Sequence, residues 1–102
     1  MIVLYTTLDD LESLKDIAST LLEENLIACA NIRSMHTALY RREGEIKEEQ
    51  EFSAILKTSK EKAEEAKERL LSLHTYEVPC VFSFEATAGH MPFLDWIETE
   101  LS

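Results

Sequence analysis

The fold is decided by residues 28–58, ACANIRSMHTALYRREGEIKEEQEFSAILKT. Both halves suit extended strands, no proline interrupts either half, and the polar turn Arg42–Glu45 separates them, which predicts one long antiparallel hairpin. The first arm, Ala28–Arg41, would span about 45 Å at roughly 3.3 Å per residue, whereas a compact chain of this length is only about 34 Å across. We therefore expect part of the hairpin to extend beyond its own core.

The faces of the hairpin are mixed rather than cleanly apolar or polar. If the side chains alternate strictly, the residues on one face of the first arm are Ala30, Ile32, Ser34, His36, Ala38 and Tyr40. The residues between them lie on the other face. The return arm alternates just as weakly. Such faces suit a ribbon that is partly buried against another chain.

The first part of the chain is predicted to form a strand and a helix. Residues Met1–Thr7 are apolar on both faces, which is typical of a central strand. Apolar residues then recur at helical spacing over 10–24, with Asp9 and Glu12 arranged as a capping box. Asn25 suits a left-handed helix end.

The part after the hairpin repeats this pattern. Thr58 and Glu61 form a second capping box before a helical stripe that runs to His74. Residues 78–86 alternate as a last strand, and Pro92 suits the first turn of a C-terminal helix. The whole order predicts an α+β, ferredoxin-like βαββαβ fold with a long central β-hairpin and a short C-terminal helix.

This topology leaves one face of the sheet poorly covered. Right-handed crossovers place the two long helices on the same face. Only the C-terminal helix is left for the opposite face, so apolar residues there need water or a partner subunit. The apolar first strand argues against the exposure of this face to water.

The amino-acid composition limits the classes of molecule that the protein is expected to bind. The 102 residues, read as a single domain over 1–102, carry a formal net charge of −10, with 20 acidic and 10 basic residues. Nucleic acid and anionic membranes are therefore not expected as partners. Strand-like residues begin at Ile2, and no apolar run approaches a membrane span of about 18 residues, so we expect a cytoplasmic protein. Cys29 and Cys80 lack CxxC spacing and are expected to be reduced thiols.

Five motif blocks carry a family resemblance. They are ACANI at 28–32, YRREGEI at 40–46, ILKT at 55–58, LHTYEVP at 73–79 and FLDWI at 93–97. In this order and covering nearly the whole chain, they resemble the blocks of the CutA family, the divalent-cation tolerance proteins.

The resemblance implies a ferredoxin-like subunit in a tight homotrimer similar to that of the PII signalling proteins. In that trimer the hairpins pack across subunit boundaries, with Tyr40, Arg42 and Gly44 at the hairpin end. The family is linked to tolerance of copper and other divalent cations, and no reaction is settled for it. We therefore expect that the protein is not an enzyme and requires no cofactor. Copper or another divalent cation is a candidate ligand.

The sequence departs from the family pattern at several positions. The departures are Arg42 in place of tryptophan, Thr75 in place of proline and Cys80 in place of glutamate. Some members bind copper through a cysteine and paired histidines, and the matching positions here hold Tyr5, Leu73 and His74. Only His74 retains a ligand type at those positions.

Two kinds of metal site can be considered. Cys29 and His74, with Cys80, offer thiolate and imidazole, which suit copper or zinc. The alternative is two buried thiols and a histidine that interacts with a helix end. The glutamates at 43, 45, 48, 49 and 51 could hold a hard cation loosely, or they form a solvated charged surface.

Asn31, Lys57, His74 and Tyr76 form the remaining candidate site. Gathered at a subunit boundary, they would suit a small anionic ligand, as in a PII-like regulatory module that binds a metabolite in the cleft between subunits. The alternative is structural pairing of Lys57 with an interface carboxylate and of the Tyr76 hydroxyl with the backbone. No serine elbow or glycine-rich phosphate loop indicates an enzyme.

Overall fold

The structure is a computed structural model that describes residues 1–102. Its elements in chain order are β1 (Ile2–Leu8), α1 (Leu11–Glu23), β2 (Cys29–Arg42), β3 (Glu45–Thr58), α2 (Ala63–Leu73), β4 (Val81–Glu85) and α3 (Met91–Leu101). The predicted βαββαβ order with an added C-terminal helix is confirmed. No helix combines the length and the apolar character needed to cross a membrane.

A single four-stranded antiparallel sheet in the order β2-β3-β1-β4 organises the chain. β1 is central, as its apolar sequence predicts. Leu4 lies opposite Leu56, and both are about 1% exposed in a core that also takes residues from α1 and α2. We call the side of the sheet that carries these two leucines the helix face, and the other side the open face.

The central hairpin extends beyond the core, as its length predicts. β2 and β3 have 14 residues each, and the molecule measures 44 × 26 × 23 Å. At the tip, Glu43 and Gly44 have φ values of 51° and 77°. Positive φ at both central residues is the requirement of the tight hairpin turn that matches strand twist.

A β-bulge corrects the alternation predicted for the first arm. Arg33 pairs with Ser53, but the next pair is His36 with Glu51, so two residues of β2 oppose one residue of β3. The inserted residue reverses the alternation. Ala30 therefore shares the helix face with its partner Leu56, whereas His36, Ala38 and Tyr40 lie on the side of Glu51.

The N-terminus of α1 also differs from the prediction. The cap is Asp10, not Asp9: its carboxylate accepts hydrogen bonds from the Ser13 backbone N–H at 2.9 Å and the Ser13 hydroxyl at 2.7 Å. These two bonds lower the pKa of Asp10. The predicted left-handed end at Asn25 is confirmed by its φ of 60°.

This cap gives a matched pair of variants. We expect Asp10→Ala to lower the thermal midpoint by roughly a few degrees and Asp9→Ala to leave it nearly unchanged, because only Asp10 satisfies a free N–H of the helix. Thermal unfolding followed by circular dichroism at pH 7 compares them. An equal loss in both variants would contradict the assignment of the cap.

The start of α2 shows a second correction. The helix begins at Ala63, and Thr58 does not cap it. The Thr58 hydroxyl instead donates to the Leu26 carbonyl at 2.7 Å, and the Ser59 hydroxyl accepts from the Lys62 N–H at 3.2 Å. Thr58 thus ties the end of β3 to the segment before β2.

The open face carries an apolar surface that α3 covers only in part. Val3 and Tyr5 of β1 lie there beside Phe84 and Phe82 of β4, their register partners. Phe82 and Phe84 are 51% and 54% exposed, and the rings of Tyr5 and Phe82 lie 5.2 Å apart. Apolar area of this kind is a mark of an interaction surface.

Candidate functional site

Lys57 and Asn31 form the first pair of predicted ligand-binding residues. They lie on neighbouring strands β3 and β2, and the Lys57 ammonium donates a hydrogen bond to the Asn31 side-chain carbonyl. Nζ of Lys57 also lies 5.8 Å from the centre of the Phe93 ring of α3. Within the chain the partners of Lys57 are thus an amide and an aromatic ring, and its pairing with an interface carboxylate stays a prediction.

His74 and Tyr76 form the second pair. Nε2 of His74 lies 2.8 Å from the Thr7 carbonyl, and Nδ1 accepts from the Tyr76 backbone N–H at 3.1 Å. A carbonyl can only accept and a backbone N–H can only donate, so these partners fix the neutral tautomer with its hydrogen on Nε2. His74 thus ties the segment after α2 to the end of β1, where pairing with β4 stops at Thr6.

The Tyr76 hydroxyl donates to the Glu51 carboxylate at 3.0 Å, not to backbone as predicted. Burial, and then the hydrogen bond and charge of Glu51, raise the pKa of Tyr76 above its ordinary value. The rings of Tyr76 and His74 pack edge to face at 4.9 Å. The segment after α2 is thereby fixed to both β1 and β3.

The contact between Tyr76 and Glu51 predicts a distinctive pH dependence. A raised folded-state pKa means that the neutral hydroxyl is stabilised in the folded chain, so this stabilisation is present below pH about 10 and is lost as the pH rises further. We expect Tyr76→Phe to cost about 1 kcal/mol at pH 7, since the pair is partly exposed, and to lose less stability than the wild type above pH 10.

Urea unfolding at pH 7 and across the alkaline range measures this difference. Glu51→Gln is the partner variant, and in its background Tyr76→Phe should have a smaller effect. Parallel stability curves for the wild type and Tyr76→Phe above pH 10 would contradict the role of the hydroxyl.

The four predicted ligand-binding residues do not form one cleft within the chain. Lys57 lies opposite Val3, whereas His74 bonds to Thr7. Four residues along β1 separate these points by roughly 13 Å. The structure therefore places Asn31 with Lys57 at one end of β1 and His74 with Tyr76 at the other end.

Cys29 and His74, the predicted metal ligands, are separated in the same way. Cys29 pairs with Lys57, and burial raises the pKa of its thiol against a smaller opposing effect of the Lys57 charge. Burial also raises the pKa of Cys80, which disfavours the thiolate that metals bind. Both ring nitrogens of His74 are already hydrogen-bonded.

No group of three or more His, Cys, Asp or Glu side chains in the chain is arranged to hold a metal ion. This includes the five glutamates of the hairpin: Glu43 lies in the turn, and the register of β3 sends the other four to both sides of the ribbon. At the tip, Glu45 binds Lys47 at 2.9 Å. The residues predicted as metal ligands therefore do not fit a cation centre within one chain.

The hairpin end has the contacts of an exposed ribbon. The Arg42 guanidinium lies 5.6 Å from the centre of the Tyr40 ring, so the residue that replaces the family's tryptophan stacks on its own strand. Glu49 is the chief cause of a raised pKa at Tyr40. No atom lies within 4 Å of the position that a Cβ would take at Gly44. The positive φ, and not a lack of space, therefore explains the glycine.

The sequence did not indicate two features of this region. The sequence pattern groups Glu51 with an acidic surface, whereas the structure makes it the partner of Tyr76. No sequence pattern distinguishes Arg33 and His36, which the bulge places on the same side of the sheet. The contact of Glu51 could have been expected from Tyr76, which follows a helix end. A tyrosine hydroxyl needs a hydrogen-bond partner when it is partly buried.

Comparison with known proteins agrees with the fold and the hairpin. The family model described as CutA1 divalent ion tolerance protein matches residues 2–100. The divalent-cation tolerance protein CutA of Pyrococcus horikoshii is 45% identical over 100 residues, which cover 98% of this chain and 97% of that protein.

Solved structures show the same likeness. A crystal structure of a CutA1 variant from P. horikoshii has a TM-score of 0.94 at 44% identity and covers 100% of this chain and 99% of that one. CutA from Archaeoglobus fulgidus, described as a periplasmic divalent cation tolerance protein, has a TM-score of 0.93 at 35% identity, with 100% of both chains covered. These names describe tolerance of divalent cations and mention no reaction. By sequence over nearly its whole length and by fold, this chain belongs to the CutA1 divalent ion tolerance protein family.

Proposed function

We propose that this chain acts as a homotrimer in the tolerance of divalent metal cations, copper among them, and that it catalyses no reaction. The observation that carries the proposal is the half-exposed apolar surface of the open face. Phe82 and Phe84 expose about half of their area there beside the partly buried Tyr5. A second subunit on this face would bury aromatic area of the kind that dominates stable interfaces.

The hairpin supports the same assembly. Leu39 and Ile46 near its tip are 67% and 74% exposed, and Met35 at the bulge is 58% exposed. The ribbon that carries these residues extends the molecule to 44 Å. An arm of this length that carries apolar side chains has a physical reason to pack on a neighbouring subunit.

The geometry also bears on how cations are involved. The predicted copper ligands Cys29 and His74 lie apart, and His74 is held in a structural role. We therefore assign the function in cation tolerance to the assembled trimer and not to a metal centre built by one chain.

Growth under copper stress tests the proposal. In cells that lack their own CutA protein, we expect the wild-type chain to restore growth at elevated copper, and Phe84→Glu to fail because it cannot assemble. Leu71→Glu, on the outer side of α2, is the control and should restore growth. Protein levels are matched by immunoblot, and equal rescue by Phe84→Glu would contradict the proposal.

We further propose that the protein works in the cytoplasm. Its support is the pair of free cysteines, since unpaired thiols are typical of a reducing compartment. The A. fulgidus relative is described as periplasmic, so the location needs a direct measurement. Cell fractionation with antibody detection should place the chain with cytoplasmic markers, and recovery in an extracytoplasmic fraction would contradict this.

A further inference from the structure

A small open pocket of about 220 Å³ lies in the helix layer, between α1 and the C-terminal end of α2. Its lining residues are Ser13, Asp16, Ile17, Thr20, Leu73 and Thr75. None of them belongs to a strand of the sheet. The pocket therefore stands apart from the open face and from the hairpin, the two surfaces assigned to the assembly.

The pocket combines an apolar base with polar walls. Ile17 is 6% exposed and belongs to the core cluster, and Leu73 packs against that cluster. The other four lining residues are one aspartate and three residues with hydroxyl groups. No lining residue carries a positive charge, so the pocket offers one negative charge and several hydrogen-bond acceptors beside apolar surface.

Asp16 supplies the negative charge, and no cation of the chain neutralises it. Asp16 takes part in none of the five ion pairs. Lys15, its neighbour in sequence, pairs with Glu12 at 3.7 Å instead. The carboxylate of Asp16 is therefore free for a ligand.

The hydroxyl groups provide an independent observation. The Ser13 hydroxyl donates its hydrogen to Asp10 at 2.7 Å, so the lone pairs of its oxygen remain for a donor from outside the chain. The hydroxyls of Thr20 and Thr75 make no hydrogen bond within the chain. The pocket thus has three hydroxyl oxygens that can accept from a ligand.

We propose that this pocket binds a small primary ammonium ion with a short alkyl chain. The ammonium group carries three N–H donors, which suit the Asp16 carboxylate and the hydroxyl oxygens around it. The alkyl chain packs on Ile17 and Leu73, as the stem of a lysine does on an apolar surface. The volume lies below the range of about 300–1,000 Å³ that is usual for larger ligands, which also favours a short chain.

The alternative cation, a divalent metal ion, fits this pocket less well. Hard metal ions take six or more oxygen ligands, usually with several carboxylates among them, and this pocket has one carboxylate. An organic ammonium ion needs only one opposite charge, and it also uses the apolar base. The net charge of −10 favours the approach of any cation, so the choice between cations depends on the pocket.

An NMR titration of the whole isotope-labelled protein with n-butylamine at pH 7 tests the site, because it measures affinity and location together. We expect saturable shift changes at the amides of residues 13–20 and 73–75. Tetramethylammonium carries the same charge without an N–H donor and should bind at least about tenfold more weakly.

Matched variants separate the pocket from the general acidity of the chain. Asp16→Asn should weaken the binding of n-butylamine by about 5- to 20-fold, and Thr75→Val should weaken it by about two- to fivefold. Glu23→Gln is the control, since Glu23 is an exposed carboxylate of α1 outside the pocket. It should stay within about twofold of the wild type. Circular dichroism checks that each variant is folded.

Three results would overturn the proposal. They are shift changes that do not saturate or that spread over the acidic residues of the whole chain, equal affinity for tetramethylammonium, and equal binding by Asp16→Asn and Glu23→Gln. The test is separate from that of the trimer, because all residues of the pocket belong to one chain. A monomer that binds the amine contradicts only the assembly, and a trimer that does not bind it contradicts only the pocket.

Discussion

Phe84→Glu is expected to convert the proposed trimer into monomers at micromolar subunit concentration. Phe84 lies on β4 opposite the buried Val3 and leaves 54% of its area exposed on the open face. In the proposed trimer the substitution removes the burial of a phenylalanine, worth about 1.5–3 kcal/mol, and places a carboxylate without a partner in an apolar contact, which costs several kcal/mol more.

The effect should be large because every interface of a cyclic trimer contains the substitution. A loss of about 4 kcal/mol at each interface weakens association by roughly a thousandfold. Size-exclusion chromatography with light scattering measures the mass, and circular dichroism checks that the subunit stays folded. The matched control is Leu71→Glu, which introduces the same charge at a leucine of α2 that is 43% exposed. Assembly of Phe84→Glu with the same mass as the control would contradict the use of the open face.

Leu4→Ala is expected to cost about 2–5 kcal/mol of unfolding free energy per subunit. Leu4 is 1% exposed on the central strand and faces the core between the sheet and the helices. Truncation leaves a cavity where the sheet cannot collapse, because β1 is held by β3 on one side and β4 on the other.

Leu22→Ala on α1 is the matched control, since Leu22 is 42% exposed. It should cost less than about 1 kcal/mol. Urea unfolding must be compared at one subunit concentration, because assembly contributes to apparent stability. Similar losses in both variants would contradict the position of the core.

The sequence predicts the helices, the strands and their order well where apolar residues recur with one period, that of a helix or that of a strand. The apolar β1, the overshooting hairpin and the left-handed Asn25 are all confirmed, because each depends on side chains within a few residues. The bulge was missed because alternation of period 2 does not show where an extra residue enters. From His36 onward, the residues of β2 then fall on the opposite side from the one predicted.

The candidate site was less predictable because its contacts are long-range. Thr58 has the right residue type to cap α2, but the carbonyl of Leu26, 32 residues away, takes its hydroxyl. His74 has the right type for a metal ligand, but Thr7, 67 residues away, takes one of its ring nitrogens. Residue type indicates what a side chain can bind, and only the fold decides which partner comes within reach.

We propose that the open face and the long hairpin are the surfaces through which the chain assembles as a trimer. Native mass spectrometry of the wild-type protein, at submicromolar subunit concentration and taken directly from cells, tests it most directly. We expect a single species with the mass of three 11.7 kDa subunits. A homogeneous species of one 11.7 kDa subunit at that concentration would contradict it.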